Sequence, residues 1–218
     1  IKECDWSSDV CSSDLNPELL DAQDVVNMAY GAARLEMAGT FHGTAADFRK
    51  FNHEYMGSGE GAQAYGWGTY LAQSFGIAKG YWKADVRRKE AAGLKPEGNV
   101  MRVDIGVNHD ELLDWDKTLK QQPTVLSAIE KNMSPELRSA IEEVYNDDLE
   151  NLRGEDFYRA LRNIERDSGL VSEQFTDVAD YNKRLANKST KQLASTYLDE
   201  LIGVPGIKFL DAKIGRAH

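Results

Sequence analysis

The spacing of apolar residues changes along the chain, and each change predicts a different element. Over residues 16–39 apolar side chains recur at intervals of three and four behind an Asn-Pro start, which is typical of an amphipathic helix. Residues 40–42 are a candidate strand directly after Gly39, which would end that helix. A glycine-rich loop at 57–68 then separates this strand from a second short one at 69–72.

The middle of the chain combines one helix with one half-buried strand. Helical spacing over 74–90 predicts the helix, and the alternation of apolar and polar residues over 99–107 predicts the strand. Residues 108–122 form a polar turn region with Trp115 as its apolar anchor.

From residue 123 to about residue 203 the apolar spacing is helical throughout. The predicted helices run from Ser134 to a break at Gly154, from Phe157 to Gly169, from Phe175 to Leu185, and from a cap at Ser189 or Thr190 to Gly203. A last strand at 207–210 follows a Pro-Gly turn. Because no change in composition marks a linker, we predict one α+β domain over 40–212, with a helical insertion at about 123–203.

Two segments near the ends of the chain, residues 10–15 and 213–218, can be encoded by opposite strands of one DNA sequence. Residues 213–218 can be written with the codons AAG ATC GGA AGA GCA CAC, whose reverse complement encodes the Val-Cys-Ser-Ser-Asp-Leu of residues 10–15. This DNA resembles a sequencing-library adapter, so we expect both ends to be foreign and leave them out of the fold prediction. Both cysteines lie within the first end, and we expect residues 16–212 to belong to a longer reading frame.

Composition restricts the partners that the chain can bind. It has 218 residues, with 26 Lys and Arg against 36 Asp and Glu, and a formal net charge of −10. This charge argues against nucleic acid as a partner, because phosphate contacts need a basic surface. No run of 18 or more apolar residues predicts a membrane span, and the N-terminus lacks the apolar stretch of a signal peptide. His53 and His109 have no second ligand at metal spacing, so we predict no metal site.

Two features suggest chemistry before any family is considered. His42 lies beside Gly43 at a strand end, where a structural histidine is the simpler explanation. The glycine-rich loop lacks the Gly-Lys-Ser/Thr of a phosphate-binding P-loop. It also precedes a strand, where a doubly wound nucleotide-binding fold would have a helix. Neither feature specifies a function by itself.

Taken together, the segments at 41–44, at 57–72 and at residue 81 resemble the His-Tyr-Glu class of ADP-ribosyltransferases, which includes diphtheria toxin and the poly(ADP-ribose) polymerases. That class has His-Gly-Thr/Ser on its first strand, then a Gly-x-Tyr-apolar-Ala strand, a helix, and a second tyrosine eleven residues after the first. The matching residues here are His42, Gly43, Thr44, Gly68, Tyr70, Ala72 and Tyr81. More closely, GEGAQAYGWGTYLA, VDIGVNHDELLDWDKTL and GVPGIKFLD resemble the ADP-ribosyltransferase-like domains in large polyvalent proteins of phages and mobile elements.

The resemblance implies NAD as the substrate and a split β-sheet core. Tyr70 and Tyr81 would then stack on the two faces of the cationic nicotinamide. Gly43 would pair its backbone with the carboxamide, and His42, supported by Thr44, would hydrogen-bond the adenosine ribose. The nicotinamide–ribose bond breaks through an oxocarbenium-like transition state, which a carboxylate near the ribose stabilises.

Two departures from the class pattern bear on activity. Ala78 stands where family members often have a serine that bonds the carboxamide, which predicts weaker nicotinamide binding. The class carries its glutamate on a late strand, so we expect the last strands and this carboxylate to lie beyond residue 212, and the catalytic residue is unassigned. The carboxylates nearby in sequence are better explained as solvated or capping groups: Glu60, Asp114, Asp116 and Asp211.

The implied function is mono-ADP-ribosylation of an unknown protein acceptor, by one domain of a phage or mobile-element polyprotein in the bacterial cytoplasm. The alternatives are an inactive domain of the same fold that binds NAD or a protein, and a structural helical module of a virion-associated protein. The resemblance covers about residues 40–120 and 190–212, but not the helical stretch between them. Two roles are open for the helical insertion: a lid over the site, or a selector of targets. Trp67 either covers the nicotinamide pocket or has only a packing role.

Overall fold

The computed structural model describes residues 39–48, 51, 64–177, 181 and 183–209. The predicted helix at 16–39 lies outside these residues except for Gly39, as do both adapter-like ends. The described chain is mixed α and β, in agreement with the predicted class, and has one antiparallel and one parallel pair of strands. None of its helices is long and apolar enough to span a bilayer.

The antiparallel strands and one long helix form a unit that we call the strand–helix module (residues 39–48 and 72–104). Strand β1 (Thr40–Gly43) pairs with β2 (Val100–Val103), and helix α1 (Phe75–Ala91) packs against β1. The strand predicted at 40–42 and the helix predicted at 74–90 are confirmed.

Two predicted strands are shorter than their sequence patterns. The strand predicted over 99–107 is limited to Val100–Val103, the part that lies opposite β1. The strand predicted over 69–72 is reduced to one antiparallel bridge between Ala72 and Phe41. In this bridge each N–H donates to the other residue's carbonyl, at 2.7 and 2.8 Å.

Residues 109–209 form a second unit, the helical module. Its strands β3 (Leu113–Asp114) and β4 (Ile207–Lys208) pair in parallel, so the last predicted strand is confirmed over its first two residues. Its helices described over their full length are α2 (Pro123–Asn132), α3 (Pro135–Tyr145), α4 (Gly154–Ser168) and α5 (Thr190–Thr196), which continues into a π-helical turn (Tyr197–Ile202). Its 3-10 turns are His109–Glu111, Leu119–Gln121, Leu149–Asn151 and Ser172–Gln174.

Capping interactions explain where these helices begin and end. The Ser134 hydroxyl accepts from the Leu137 N–H at 3.2 Å and caps α3, as predicted. Ser189, rather than Thr190, caps α5 by accepting from the Gln192 N–H at 3.3 Å. Gly169 follows α4 in the left-handed conformation, with φ of 75°, and ends it as predicted.

The prediction that Gly154 breaks a helix is wrong, because Gly154 is the first residue of α4. Helix α3 ends earlier, where Asn146 adopts a left-handed φ of 48°. A Cβ on residue 154 would lie 2.3 Å from the Asp114 carbonyl oxygen, so this glycine permits close approach between α4 and β3. The helix predicted over 175–185 falls partly outside the described residues. Its described residues 181, 183 and 184 are helical, whereas Phe175 lies in extended backbone.

One hydrophobic core holds the helical module together. Its largest fully buried side chains include Ile129, Leu137, Ile141, Phe157, Tyr158, Leu161, Tyr197 and Ile202. The predicted anchor Trp115 is buried in the same core, and Tyr65 and Phe209 pack against its edge. No described residue of the strand–helix module belongs to it. The chain before Tyr70 therefore reaches the core of the helical module, while the strand carrying His42 does not.

Candidate functional site

Strand β1 carries His42 to the segment that contains Tyr70. Nδ1 of the half-buried His42 ring donates to the Tyr70 carbonyl at 2.9 Å. Because a carbonyl oxygen can only accept, Nδ1 carries a proton, and the tautomer that this selects has Nε2 as its acceptor. The rings of Phe48 and Phe51 lie with their centroids 6.0 and 5.2 Å from the His42 ring. The first two segments of the motif are therefore in direct contact.

Gly43 directs its backbone groups away from β2. Hydrogen bonds in an antiparallel pair alternate between the two sides of a strand. The Thr44 N–H donates to the Asn99 carbonyl at 3.1 Å on the β2 side, whereas Phe41 exchanges its backbone hydrogen bonds with Ala72 on the opposite side. Gly43 is two residues from Phe41, so its N–H and C=O point to the Ala72 side. Among the described residues, none hydrogen-bonds to them there.

Gly43 also lies directly against helix α1. A Cβ at this position would be 1.9 Å from the Ala78 carbonyl oxygen and 3.0 Å from the Trp82 backbone nitrogen, so no side chain fits between strand and helix. Ala78 is only 1% exposed at this contact. Ala78, which stands where members of the resembled class often have serine, therefore lies where α1 meets the backbone of β1.

Tyr70 closes the short loop that precedes it. Its hydroxyl donates to the Gly66 carbonyl at 2.8 Å and accepts from the Tyr65 N–H at 3.1 Å. Burial is the main cause that raises the pKa of Tyr70 to about 12; the hydrogen bond from the Tyr65 N–H opposes it, and the neighbouring phenols of Tyr158, Tyr65 and Tyr81 add to it. The Tyr70 ring is therefore neutral and fixed at one end, which suits a face that stacks on a cation.

The other predicted ligand-binding residues lie in different surroundings. Tyr81 projects from α1, is 48% exposed, and is close enough to Tyr70 for its phenol to affect the Tyr70 pKa. Gly68 is half-buried, and a Cβ there would meet nothing within 4 Å, so packing does not require glycine. Ala72 forms the bridge to β1. The structure thus brings His42, Gly43, Tyr70 and Ala72 together, with Tyr81 nearby.

Asp85 fixes the turn that follows β1, and the family motif does not include it. Its Oδ2 accepts from the Ala45 N–H at 2.8 Å and from the Thr44 hydroxyl at 3.4 Å. The Arg88 guanidinium pairs with its other oxygen. Burial would raise the pKa of Asp85, but the Ala45 N–H and Arg88 together lower it below its ordinary value. Thr44 is therefore held by a charged carboxylate from α1.

Two further side chains of α1 support the same turn. The Lys89 ammonium donates to the Ala45 carbonyl at 2.9 Å, and the Trp82 indole N–H donates to the Gly98 carbonyl at 2.9 Å. Ala78, Trp82, Asp85 and Lys89 recur at helical spacing. A carboxylate on the face of α1 that also carries Ala78 and Trp82 is the signal in the sequence that would have identified Asp85.

The carboxylates considered for catalysis are only partly described. Glu60 and Asp211 lie outside the described residues. Asp114 is mostly buried on β3, where its Oδ2 lies 3.3 Å from the Lys117 ammonium and 3.9 Å from that of Lys208. Asp116 follows it in an exposed turn. In the part of the chain that the structure describes, no cluster of three or more His, Cys, Asp or Glu side chains could hold a metal ion.

Neither a protein-family model, nor a curated protein, nor a solved structure matches this chain. Function is therefore inferred from the geometry around β1, α1 and Tyr70.

Proposed function

We propose that this chain is an NAD-dependent mono-ADP-ribosyltransferase domain, built on the split-sheet core of the His-Tyr-Glu class and modifying a protein acceptor. It would act within a larger polyprotein of a phage or mobile element. The observation that carries the proposal is the backbone of Gly43, whose N–H and C=O point toward the Ala72 side beside the bonded pair of His42 and Tyr70. A donor and an acceptor fixed side by side match the carboxamide of nicotinamide.

The aromatic groups favour the same ligand. The neutral Tyr70 ring and the half-exposed Tyr81 ring offer two faces for a cationic ring, and such contacts contribute about 0.5–2 kcal/mol each. The His42 ring presents Nε2 as an acceptor, which suits a ribose hydroxyl. These groups account for binding of NAD and for its orientation.

The proposed reaction replaces one bond at the anomeric carbon of the nicotinamide-bearing ribose. The bond from this carbon to the nicotinamide nitrogen breaks, and its electron pair leaves with neutral nicotinamide. A nucleophile of the acceptor protein then bonds to the same carbon and loses its proton. The residues around Gly43 would hold the leaving group, and the carboxylate that stabilises the oxocarbenium-like centre is unassigned among the described residues.

A titration of NAD into the full chain, followed by calorimetry, tests the binding step. We expect Tyr81→Ala to weaken NAD binding about tenfold, because one stacking face is lost, and Tyr81→Phe to retain most of the affinity because the face remains. Leu94→Ala is the control, since Leu94 is 59% exposed and follows the same helix.

The release of nicotinamide, measured by chromatography, separates the enzyme from its alternative. NAD binding with nicotinamide release supports the transferase. NAD binding without nicotinamide release selects the inactive NAD-binding module. A chain that neither binds NAD at millimolar concentration nor releases nicotinamide overturns the proposal.

A further inference from the structure

The helical module reaches the backbone of the loop that carries Tyr70. We call residues 64–70 the Tyr70 loop. The Trp67 N–H of this loop points at two hydroxyls of the helical module: Ser195 Oγ on α5 at 3.2 Å and the Tyr158 hydroxyl on α4 at 3.4 Å. These are contacts to the main chain, so they act on the position of the loop whatever side chain residue 67 has.

The directions of the hydrogen bonds in this group follow from its chemistry. The Tyr158 hydroxyl lies 2.9 Å from the Lys191 carbonyl, which can only accept, so the single phenolic proton goes there. The Ser195 hydroxyl, 2.9 Å from the Tyr158 oxygen, must then donate to it. The lone pairs of Ser195 Oγ are left to accept the Trp67 N–H. The chain from Lys191 to Trp67 therefore has one consistent arrangement of protons.

Further contacts hold the Tyr70 loop in one conformation. The Tyr70 hydroxyl is bonded to the loop's own Gly66 and Tyr65. The Tyr65 ring stacks on Phe209 with centroids 3.6 Å apart. Gly66 has a φ of 118°, and a Cβ there would lie 3.1 Å from the Tyr158 hydroxyl, so glycine is what allows the loop to lie this close to α4.

We propose that Tyr158 and Ser195 are positioning residues for NAD: they hold the Trp67 amide, and through the closed Tyr70 loop they place the Tyr70 ring against the nicotinamide. The helical module is then neither a lid nor only a selector of targets, but the support of one wall of the site. This inference rests on the proposed function.

The same core provides a matched control in Tyr197. Tyr158 and Tyr197 are both buried tyrosines on neighbouring helices, with 0% and 1% exposure. The Tyr197 hydroxyl has no hydrogen-bond partner among the described residues. Replacing either residue by phenylalanine removes one buried oxygen, but only the change at Tyr158 removes a contact to the Tyr70 loop.

The test compares the full chain with the double variant Tyr158→Phe/Ser195→Ala and with Tyr197→Phe. Hydrogen exchange at the Trp67 amide and NAD affinity by calorimetry are measured for each. We expect the double variant to exchange this amide about tenfold faster and to bind NAD about fivefold more weakly, with unchanged exchange in α2. Saturating NAD should restore protection of the amide in the double variant. Tyr197→Phe should match the unmodified chain in both readouts.

The outcomes separate this inference from the proposed function. Unchanged exchange at Trp67 in the double variant, or faster exchange with unchanged NAD affinity, overturns the positioning role alone. Failure of the unmodified chain to bind NAD overturns the proposed function and this inference with it.

Discussion

The strand–helix module and the helical module use side-chain volume in opposite ways. The helical module fills its interior with large side chains such as Phe157, Tyr158 and Leu161, all 0% exposed. In the described part of the strand–helix module, the buried apolar residues are two alanines, Ala45 and Ala78. Its described contacts combine close approach of main chain at Gly43, the edge-on contact of the Phe41 and Phe75 rings with centroids 5.6 Å apart, and hydrogen bonds with polar side chains of α1.

This difference determines what each module tolerates. The helical module is weakened by removing atoms, because a cavity forms that the surroundings fill only in part. The strand–helix module is weakened by adding atoms, because glycines mark its points of contact. A module with so little buried apolar surface also gains more, in relative terms, from a ligand that binds only its folded form.

The largest effect on stability is expected from a cavity in the helical module. Phe157→Ala should lower the free energy of unfolding by about 3–5 kcal/mol, measured by urea denaturation. Val144→Ala is the control, because Val144 is 60% exposed on α3, and it should change stability by no more than about 0.5 kcal/mol. Equal effects of the two changes would show that the helical module lacks the packed core described above.

The opposite change should damage the strand–helix module. Gly43→Ala should cost about 3 kcal/mol and abolish NAD binding, because the new Cβ would lie 1.9 Å from the Ala78 carbonyl oxygen and force β1 away from α1. Hydrogen exchange resolved by peptide should show the loss in β1 and β2 while α4 stays protected. Gly68→Ala, which meets nothing within 4 Å, should fold normally. If Gly43→Ala also folds normally, the contact between β1 and α1 is looser than described.

Asp85 offers a test of the polar contacts in the strand–helix module. Asp85→Asn should lower stability by about 1–3 kcal/mol at neutral pH, because the pairing with Arg88 is lost in a buried position. Asp85 has a pKa below its ordinary value of 3.8, so its contribution is present above that pH and is lost as pH falls through the lowered pKa. The stability of the unmodified chain, measured by urea denaturation against pH, should therefore approach that of Asp85→Asn in acid.

The control for Asp85 is a second aspartate beside an arginine, Asp167. Its side chain is 64% exposed where it pairs with Arg166. Asp167→Asn should leave both the stability and the exchange of β1 unchanged, because a solvated ion pair contributes little. A larger effect at Asp167 than at Asp85 would contradict the role given to burial.

The smallest effect at neutral pH is expected for Tyr197→Phe. Removing a buried hydroxyl without a partner should change stability by no more than about 1 kcal/mol. Burial raises the pKa of Tyr197 from 10.0 to about 12, so the folded state keeps a proton that the unfolded state loses, and stability falls as pH rises through this range. Tyr197→Phe should show a shallower alkaline decline in urea denaturation, and an equally steep decline would mean that the phenol is solvated.

The sequence predicted elements best where periodicity and capping agree. The helix at 74–90, the Ser134 cap and the Gly169 stop are local signals and are confirmed by the structure. The prediction for Gly154 is wrong because the sequence does not distinguish two kinds of glycine. One ends a helix, and the other, as here, leaves room for a carbonyl oxygen of a residue distant in the chain. Strand β3 was missed because two residues in a polar turn become a strand only through their distant partner.

The candidate site was predictable where short motifs define it. The resemblance to the His-Tyr-Glu class pointed to His42, Gly43 and Tyr70, which the structure brings together. Asp85 and Tyr158 act through contacts that join residues far apart in the chain, so only the folded structure reveals them. The class carboxylate stays a prediction about residues beyond 212.

The parallel pairing of β3 with β4 has a consequence for how such a domain diversifies. The Leu113 N–H donates to the Gly206 carbonyl at 3.0 Å and the Trp115 N–H to the Lys208 carbonyl at 2.9 Å, so the segment that contains α2 to α5 begins and ends at neighbouring positions. A segment whose two ends adjoin can be exchanged for another of different length at little cost in loop closure. Other helical segments would then be compatible with the proposed nicotinamide site, provided that each again presents hydroxyl groups to the Trp67 amide.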